Sequence, residues 1–142
     1  MQAAYVPSII SIAETLLSEL EAIEEQPPQI TSDLLIKLHH LFDKNLERAL
    51  QIIDKGDVKC YVAEKSGRTV YQVKGKTAAE PYTVFPLDYC SCHAFLYDVV
   101  GHGGSEQVLC KHQLAARIAS ALRRCPTIVV PDTALVQLLL TA

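Results

Sequence analysis

The chain has 142 residues, of which 49% are apolar and 20% are charged, so it has the size and composition of one ordinary globular domain. Its formal net charge of −3 excludes a molecule that attracts nucleic acid by its overall charge, and leaves only a local basic face for that role. The N-terminus lacks the basic start of a signal peptide, and no run reaches the roughly 18 apolar residues that cross a bilayer, so we expect a soluble intracellular protein without membrane contact.

Residues 1–56 are predicted to form an antiparallel pair of helices. Between residues 6 and 23, apolar side chains recur every three or four positions, which places them on one face of a helix. Consecutive prolines, Pro27 and Pro28, end this pattern. A second apolar stripe predicts one continuous helix from residue 32 or 33 to Lys55, and Gly56 provides its stop.

Residues 57–126 begin with strands, because apolar and polar side chains alternate there. Residues 58–63 and 68–74 predict a β-hairpin around a Ser66-Gly67 turn. Residues 81–85 predict a third strand, and Pro81 confines that end to a sheet edge or a strand start. A short segment that contains cysteines therefore follows directly after the third predicted strand.

Two pairs of metal-binding side chains follow these strands. Cys90-Ser91-Cys92 and Cys110-Lys111-His112 are separated by seventeen residues. Five cysteines in an intracellular chain indicate thiols or metal ligands before disulfides. Two ligands one residue apart can reach the same small ion, and a second pair on another element completes a tetrahedron of sulfur and nitrogen donors. The pattern predicts one structural Zn²⁺ held by Cys90, Cys92, Cys110 and His112.

The alternative for these four residues is that they only pack in the core, since free cysteine is often buried. Each residue alone fits that interpretation, but two pairs with the same spacing favour a metal. Cys60 and Cys125 have no spaced partner and are predicted to be packing thiols. Because four protein ligands leave no open position on the metal, we predict that the protein is not an enzyme.

The helix predicted after the zinc ligands carries several basic residues. The basic residues Lys111, Arg117, Arg123 and Arg124 are expected to lie on an exposed side together with Gln113 and Ser120. Such a side is either solvated or a weak phosphate-binding surface, because a few arginines neutralise few phosphates. The charge pattern leaves both interpretations open, and of the two ways to bind DNA it favours contact within a complex over tight binding by the chain alone.

Residues 127–142 form an apolar segment in which Asp132 is the one charged residue. One helix face cannot bury all of its Val, Ile and Leu side chains, so the excess predicts an interface with another protein, at Leu135, Leu138 and Leu139. The predicted fold class is therefore α+β in one compact domain. Its parts are an N-terminal antiparallel helix pair, a small antiparallel β-sheet, a zinc finger within residues 57–126, and C-terminal helices.

The four ligands stand in a motif that resembles the SWIM-type zinc finger, which has Cys-x-Cys, a variable spacer and Cys-x-His. Here the motif is Cys90-Ser91-Cys92-His93-Ala94-Phe95 followed by Leu109-Cys110-Lys111-His112-Gln113-Leu114-Ala115. The surrounding chain, from the N-terminal helices through the hairpin to the C-terminal helix, resembles the small SWIM-domain subunits of Shu complexes. His93 stands where that family often has a proline.

This resemblance implies a nuclear protein that acts in DNA repair by homologous recombination. Proteins of that family form a heterodimer with a recombinase-paralogue ATPase and support recombinase filaments on single-stranded DNA. The resemblance implies the same partners for this chain. A second possibility stays open, namely a stand-alone nucleic-acid-binding zinc finger protein.

Overall fold

The computed structural model of the chain describes residues 8–75, 81–100 and 108–140. Its helices are α1 (Ile9–Glu21), α2 (Ser32–Phe42), α3 (Lys44–Asp54), α4 (Lys111–Ala121) and α5 (Asp132–Leu140). Its strands are β1 (Val58–Ala63), β2 (Thr69–Val73), β3 (Tyr82–Phe85), β4 (Tyr89–Cys90) and β5 (Thr127–Val130), with a π-helical turn at Phe95–Val100. The predicted α+β class is confirmed.

The first helix begins and ends close to the predicted positions. Ser8 caps α1, and its hydroxyl accepts a hydrogen bond of 3.1 Å from the backbone N–H of Ser11. The helix ends at Glu21, before the two prolines, and buries Leu17 and Leu20. Residues 6 and 7 of the predicted pattern lie outside the described part of the chain.

The continuous helix predicted for residues 32–55 is wrong, because the chain forms two helices there. Asp43 has a φ of 50° and a ψ of −125°, which interrupts the helix between Phe42 and Lys44. An unbroken helix of this length would extend about 36 Å at 1.5 Å per residue. The break lets both halves reach the same core, since Leu38 and Leu46 are both buried in it. The N-terminal unit therefore has three helices instead of an antiparallel pair.

The strands form one sheet in the order β4-β3-β2-β1-β5. Neighbours from β1 to β4 are antiparallel, which confirms the hairpin and the third strand. The expectation of a wholly antiparallel sheet is wrong, because β5 pairs with β1 in parallel. Parallel strands need a crossover connection, and the long chain between β1 and β5, which includes α4, provides it. The predicted apolar C-terminal segment thus supplies an edge strand of the sheet.

The two faces of the sheet are covered by different helices. Val58 and Val73 belong to the main core, which α1 to α4 complete on one face. Ala63 and Val70 form a second, smaller core with Leu135 of α5 on the opposite face. Side chains alternate between the two faces of a strand, so residues an odd number of positions apart point to opposite faces. Val70 and Val73 are three positions apart and therefore belong to different cores. The described part of the chain therefore has three layers: helices α1 to α4, the sheet and α5.

Helix α4 lies at the centre of the main core. All its residues from 112 to 119 are buried, because α1, α3 and the sheet pack around it. The predicted exposed side is therefore wrong for Gln113 and Arg117, while Ser120 is exposed. A helix that is enclosed on every side can keep polar residues only where they find partners inside the protein. Those partners are part of the site described next.

Candidate metal centre

Cys90, Cys92, Cys110 and His112 come together in one buried cluster. Their ligand atoms all lie within 4.8 Å of one another, and Cys90 Sγ is 3.8 Å from His112 Nδ1. In a tetrahedral zinc site, with Zn–S near 2.3 Å and Zn–N near 2.0 Å, neighbouring ligand atoms are roughly 3.5 to 3.8 Å apart. The cluster therefore has the dimensions and the donor set of a zinc site. Within the described ranges, no other group of Cys, His, Asp and Glu gathers in this way.

The first ligand pair lies at the edge of the sheet, where Cys90 ends β4. Ser91 is bonded twice to Thr83 of β3: its N–H donates to the Thr83 carbonyl at 3.0 Å, and its hydroxyl accepts from the Thr83 N–H at 2.9 Å. Cys92 then accepts a hydrogen bond of 3.3 Å from the backbone N–H of Phe95. Such a donor favours the thiolate, which is the form that binds metal.

The second ligand pair opens α4. Cys110 is the N-cap residue, and its sulfur accepts a hydrogen bond of 3.4 Å from the N–H of Gln113. In return, the Cys110 N–H donates to the Gln113 side-chain oxygen at 3.1 Å, which completes a capping box with sulfur in the usual place of a hydroxyl. The helix N-terminus favours a negative charge on that sulfur. His112 follows in the first turn, and its ring packs against Tyr82 with centroids 4.5 Å apart.

Asn45 is a buried residue near the site that was not predicted. Its side-chain nitrogen donates to the carbonyl of Leu109, at 3.3 Å, directly before Cys110. The bond fastens the start of the second ligand pair to α3. The sequence offers little indication of this role, because Asn45 lies in a stretch that the apolar pattern assigns to the interior of one helix.

The protonation of the sulfurs shows why this cluster suits a cation. Hydrogen bonds from Cys110 and Cys90 lower the pKa of Cys92. The pKa of Cys90 is raised, because its hydrogen bonds with Cys110 and Cys92 and its burial favour the neutral thiol. A hydrogen bond with Cys90 favours the Cys110 thiolate, but the bond with Cys92 and burial outweigh it and raise the pKa of Cys110 to about 12. Hydrogen bonding within the cluster thus favours the thiolate at Cys92, and a bound Zn²⁺ would favour the thiolate of all three cysteines.

Cys60 and Cys125 are outside the cluster. Burial raises the pKa of Cys60. Burial also raises the pKa of Cys125 to about 11, with a contribution from the nearby Cys60. At neutral pH both are therefore protonated thiols, which are poor metal ligands.

The chemistry available to the cluster is that of a closed structural site. Three sulfurs and one nitrogen fill the four positions of a tetrahedral zinc ion, so a substrate would have no place on the metal. Ligands from β4 and from the start of α4 would instead be joined through the ion. The site can therefore cross-link the sheet edge to the central helix.

Arg117 does not belong to an exposed basic surface, so this part of the prediction is wrong. The side chain is 7% exposed, with Nη1 2.7 Å from a Glu14 oxygen and Nη2 2.7 Å from a Glu21 oxygen. Burial acts to lower the pKa of Arg117, but the carboxylates of Glu21 and Glu14 outweigh it and raise the pKa. The guanidinium fastens α1 to α4, which is a structural role.

The other predicted nucleic-acid contacts do not form one compact group. Lys111 lies at the start of α4, whereas Arg123 lies beyond its end, about 18 Å away along the helix axis. Arg123 donates to Gln26 at 2.9 Å. Arg124 forms an exposed ion pair of 3.2 Å with Asp54. DNA contact by Lys111, Arg123 and Arg124 stays a prediction.

The predicted partner residues divide between the two sides of α5. Leu135 is 3% exposed in the second core, so it is a core residue and not part of an outer surface. Leu138 packs against the same core. Leu139 is exposed, as are Val136 and Leu140, and their spacing places all three on the outer face of α5. No helix in the described ranges is long and apolar enough to cross a bilayer.

Comparison with curated proteins finds relatives along nearly the whole chain. Human zinc finger SWIM domain-containing protein 7 is 33% identical over 130 residues, which cover 92% of this chain and 91% of the human protein. The mouse protein of the same name is 35% identical over 129 residues, which cover 91% of this chain and 83% of the mouse protein. A Dictyostelium discoideum homolog is 32% identical over 104 residues, which cover 73% of this chain and 65% of that protein. No family model and no solved structure matches the chain.

Proposed function

The chain belongs to the family of zinc finger SWIM domain-containing protein 7, and from this premise we propose that it is the non-enzymatic zinc-binding subunit of a heterodimer with a recombinase-paralogue ATPase. This heterodimer promotes repair by homologous recombination in the nucleus, by supporting recombinase filaments on single-stranded DNA. The observation that carries the proposal is the buried cluster of three cysteines and one histidine in a chain that matches its human relative over 92% of its length.

The closed metal site supports a role as a subunit. A zinc ion with four protein ligands contributes folding free energy but offers no position for a substrate or an activated water. Any ATP hydrolysis in the proposed heterodimer therefore belongs to the partner.

The exposed C-terminal elements support a protein partner. Val136, Leu139 and Leu140 form an apolar outer face on α5, and Leu140 is 79% exposed. An apolar helix face of this kind docks into a groove on another protein. Next to it, β5 is an edge strand of the sheet, which offers backbone groups for pairing. We assign the partner contact to these two elements, which we call the C-terminal surface.

Co-expression with recombinase-paralogue ATPases from the same organism tests the proposal. We expect one of them to co-purify in a 1:1 complex that contains one zinc per copy of this chain. Zinc is measured by atomic emission and stoichiometry by light scattering. A chain that is a stable monomer, binds DNA by itself and retains none of the candidate ATPases would instead be a stand-alone nucleic-acid-binding zinc finger protein.

A further inference from the structure

A basic cleft opens beside the metal centre, between α3, the end of β2 and the start of α4. Among the described residues that line it, the cations are Arg48, Lys55, Lys74 and Lys111, and the one acid is Asp57. Tyr82 and the ligand His112 form part of its wall. We call this feature the basic cleft.

The cations of the basic cleft have no ion pair within the described part of the chain. Other cations do have acidic partners: Lys37 pairs with Asp33, and Arg124 pairs with Asp54. In a molecule of net charge −3, the described lining of the cleft, with four cations and one acid, forms a local field of the opposite sign. Such a concentration of like charge attracts an anion that can offset the repulsion.

The shape of the basic cleft favours a single strand over a duplex. Reading a duplex requires an element that projects into a groove, whereas this site is concave. Arg48 in α3 and Lys55, which caps the end of that helix, lie seven residues apart, or about 10 Å along the helix axis, so the two cations can contact different phosphates of one strand. The half-buried ring of Tyr82, held against His112, borders the same space and offers a surface for base stacking.

The metal ligand that borders the basic cleft is the uncharged one. Of the four ligands, His112 alone lines the basic cleft, and imidazole is a neutral ligand. The three sulfurs, which are anionic when they bind zinc, are buried. The net charge of −1 on a Zn²⁺ ion with three thiolates and one imidazole (+2 − 3) would therefore lie on residues that do not line the cleft.

We propose that the basic cleft binds the phosphate backbone of single-stranded nucleic acid through Arg48, Lys55, Lys74 and Lys111. This inference rests on the proposed function in that it names the nucleic-acid site of the same complex. It replaces the predicted surface around Arg117, and it retains Lys111 from that prediction.

The test uses the full chain, alone and in complex with its partner ATPase, and a fluorescent 30-nucleotide oligo(dT). The variant Lys55→Ala with Lys74→Ala removes two cations from the cleft. The matched control, Lys59→Ala with Lys65→Ala, removes two exposed lysines from elsewhere. Fluorescence anisotropy over a salt series should show about tenfold weaker binding by the cleft variant. Its salt slope should fall in magnitude by about 1.4, because each phosphate contact on a single strand contributes about 0.7.

The possible outcomes test nucleic-acid binding by the cleft and the proposed function separately. The cleft variant should keep its zinc and its partner, and the control should bind DNA as the unmodified chain does. Equal affinity of the cleft variant and the control overturns the inference, as does binding of thymidine monophosphate as tightly as the oligonucleotide, since the site would then hold a small anion. If no ATPase co-purifies but the chain alone binds the oligonucleotide through the cleft, the inference stands and the proposed function fails.

Discussion

Three polar side chains hold the backbone on either side of the metal-binding cysteines without being ligands. Ser91 exchanges two hydrogen bonds with β3, Gln113 closes the capping box with Cys110, and Asn45 binds the carbonyl of Leu109. Each provides a hydrogen-bond partner for a backbone group near the site, as polar groups inside a protein require. The geometry of the four ligands therefore depends on residues from three separate parts of the chain.

Replacing Asn45 with Ala should weaken both the fold and the metal site. The Leu109 carbonyl would lose its donor, at an expected cost of about 1 to 3 kcal/mol in the free energy of unfolding. Because the bond positions the segment before Cys110, zinc affinity should fall about 10-fold or more. Urea unfolding and competition with a colorimetric chelator measure the two effects. Lys44→Ala, at an exposed neighbouring position, is the control, and identical values for both variants would remove Asn45 from the site.

Replacing one ligand should remove the metal, whereas replacing a cysteine outside the cluster should not. Cys110→Ala leaves three donors and is expected to purify with far less than one zinc per chain. Cys60→Ala removes a small buried thiol and should cost only packing, about 1 kcal/mol, with zinc retained. Atomic emission on the two purified variants provides the comparison. Loss of zinc from Cys60→Ala to the same extent would mean that the ligand set is wrong.

Among the secondary-structure elements, α4 has the greatest influence on the rest of the molecule. It begins with two zinc ligands, packs against the sheet, and is joined to α1 by Arg117. Because α4 is buried on all sides, Arg117 in its middle forms ion pairs inside the protein and does not face solvent. Elements at the periphery, such as α5, instead divide their residues between the core and an exposed face.

Replacing Arg117 with Ala should destabilise the protein by about 2 kcal/mol. The two lost hydrogen bonds are charge-assisted, but Glu14 and Glu21 are 45% and 50% exposed, so water compensates part of the loss. Arg124→Ala is the matched control, since its ion pair with Asp54 is exposed and should contribute less than about 1 kcal/mol. Urea unfolding compares the two. A similarly small loss of unfolding free energy in both variants would contradict the proposed role of Arg117 in joining α1 to α4.

Replacing Leu139 with Asp should release the partner without unfolding the chain. A carboxylate that becomes buried in an apolar interface costs roughly 2 to 5 kcal/mol, enough to weaken association more than tenfold. Thr133→Asp, at an exposed position of the same helix, should leave the complex intact. Co-purification and circular dichroism report complex formation and helix content.

Replacing Leu135 with Asp should have the opposite pattern, because its side chain lies in the second core. We expect loss of stability in the isolated chain as well as loss of the partner. If Leu139→Asp still co-purifies with the partner, the C-terminal surface is not the interface.

At the scale of the whole molecule, the zinc centre lies where the layers meet. One ligand pair belongs to the end of the sheet and the other to the helix that the remaining helices surround. Loss of the metal should therefore destabilise the main core as well as the cysteine segment.

Removing zinc should unfold most of the protein. Structural zinc contributes about 10 to 16 kcal/mol in small domains, which is comparable to the total stability of about 5 to 15 kcal/mol for a typical domain. Addition of a strong chelator should abolish the cooperative thermal transition seen by circular dichroism, and added zinc should restore it. An unchanged transition in a sample shown to be free of metal would contradict a structural role.

Features that depend on local spacing could be predicted from the sequence, and features that depend on distant packing could not. The ligand pairs and the hairpin each lie within a few residues of chain. The break at Asp43 was missed because the apolar stripe runs through it without interruption. Strand β5 was missed because Ile128, Val129 and Val130 fit an apolar tail as well as an edge strand. Arg117 was misplaced because its carboxylates come from a helix about 100 residues earlier in the chain.

The parallel pairing of β5 with β1 has a consequence for how the protein is made. Translation delivers the chain from its N-terminus, so β1 and all four zinc ligands leave the ribosome before residues 127–130 do. Until then β1 is bonded to β2 on one side only, and its other side is an open edge of backbone N–H and C=O groups that another nascent chain can join. A premature stop codon between residues 122 and 127 would therefore yield a polypeptide that retains every metal ligand and yet tends to aggregate.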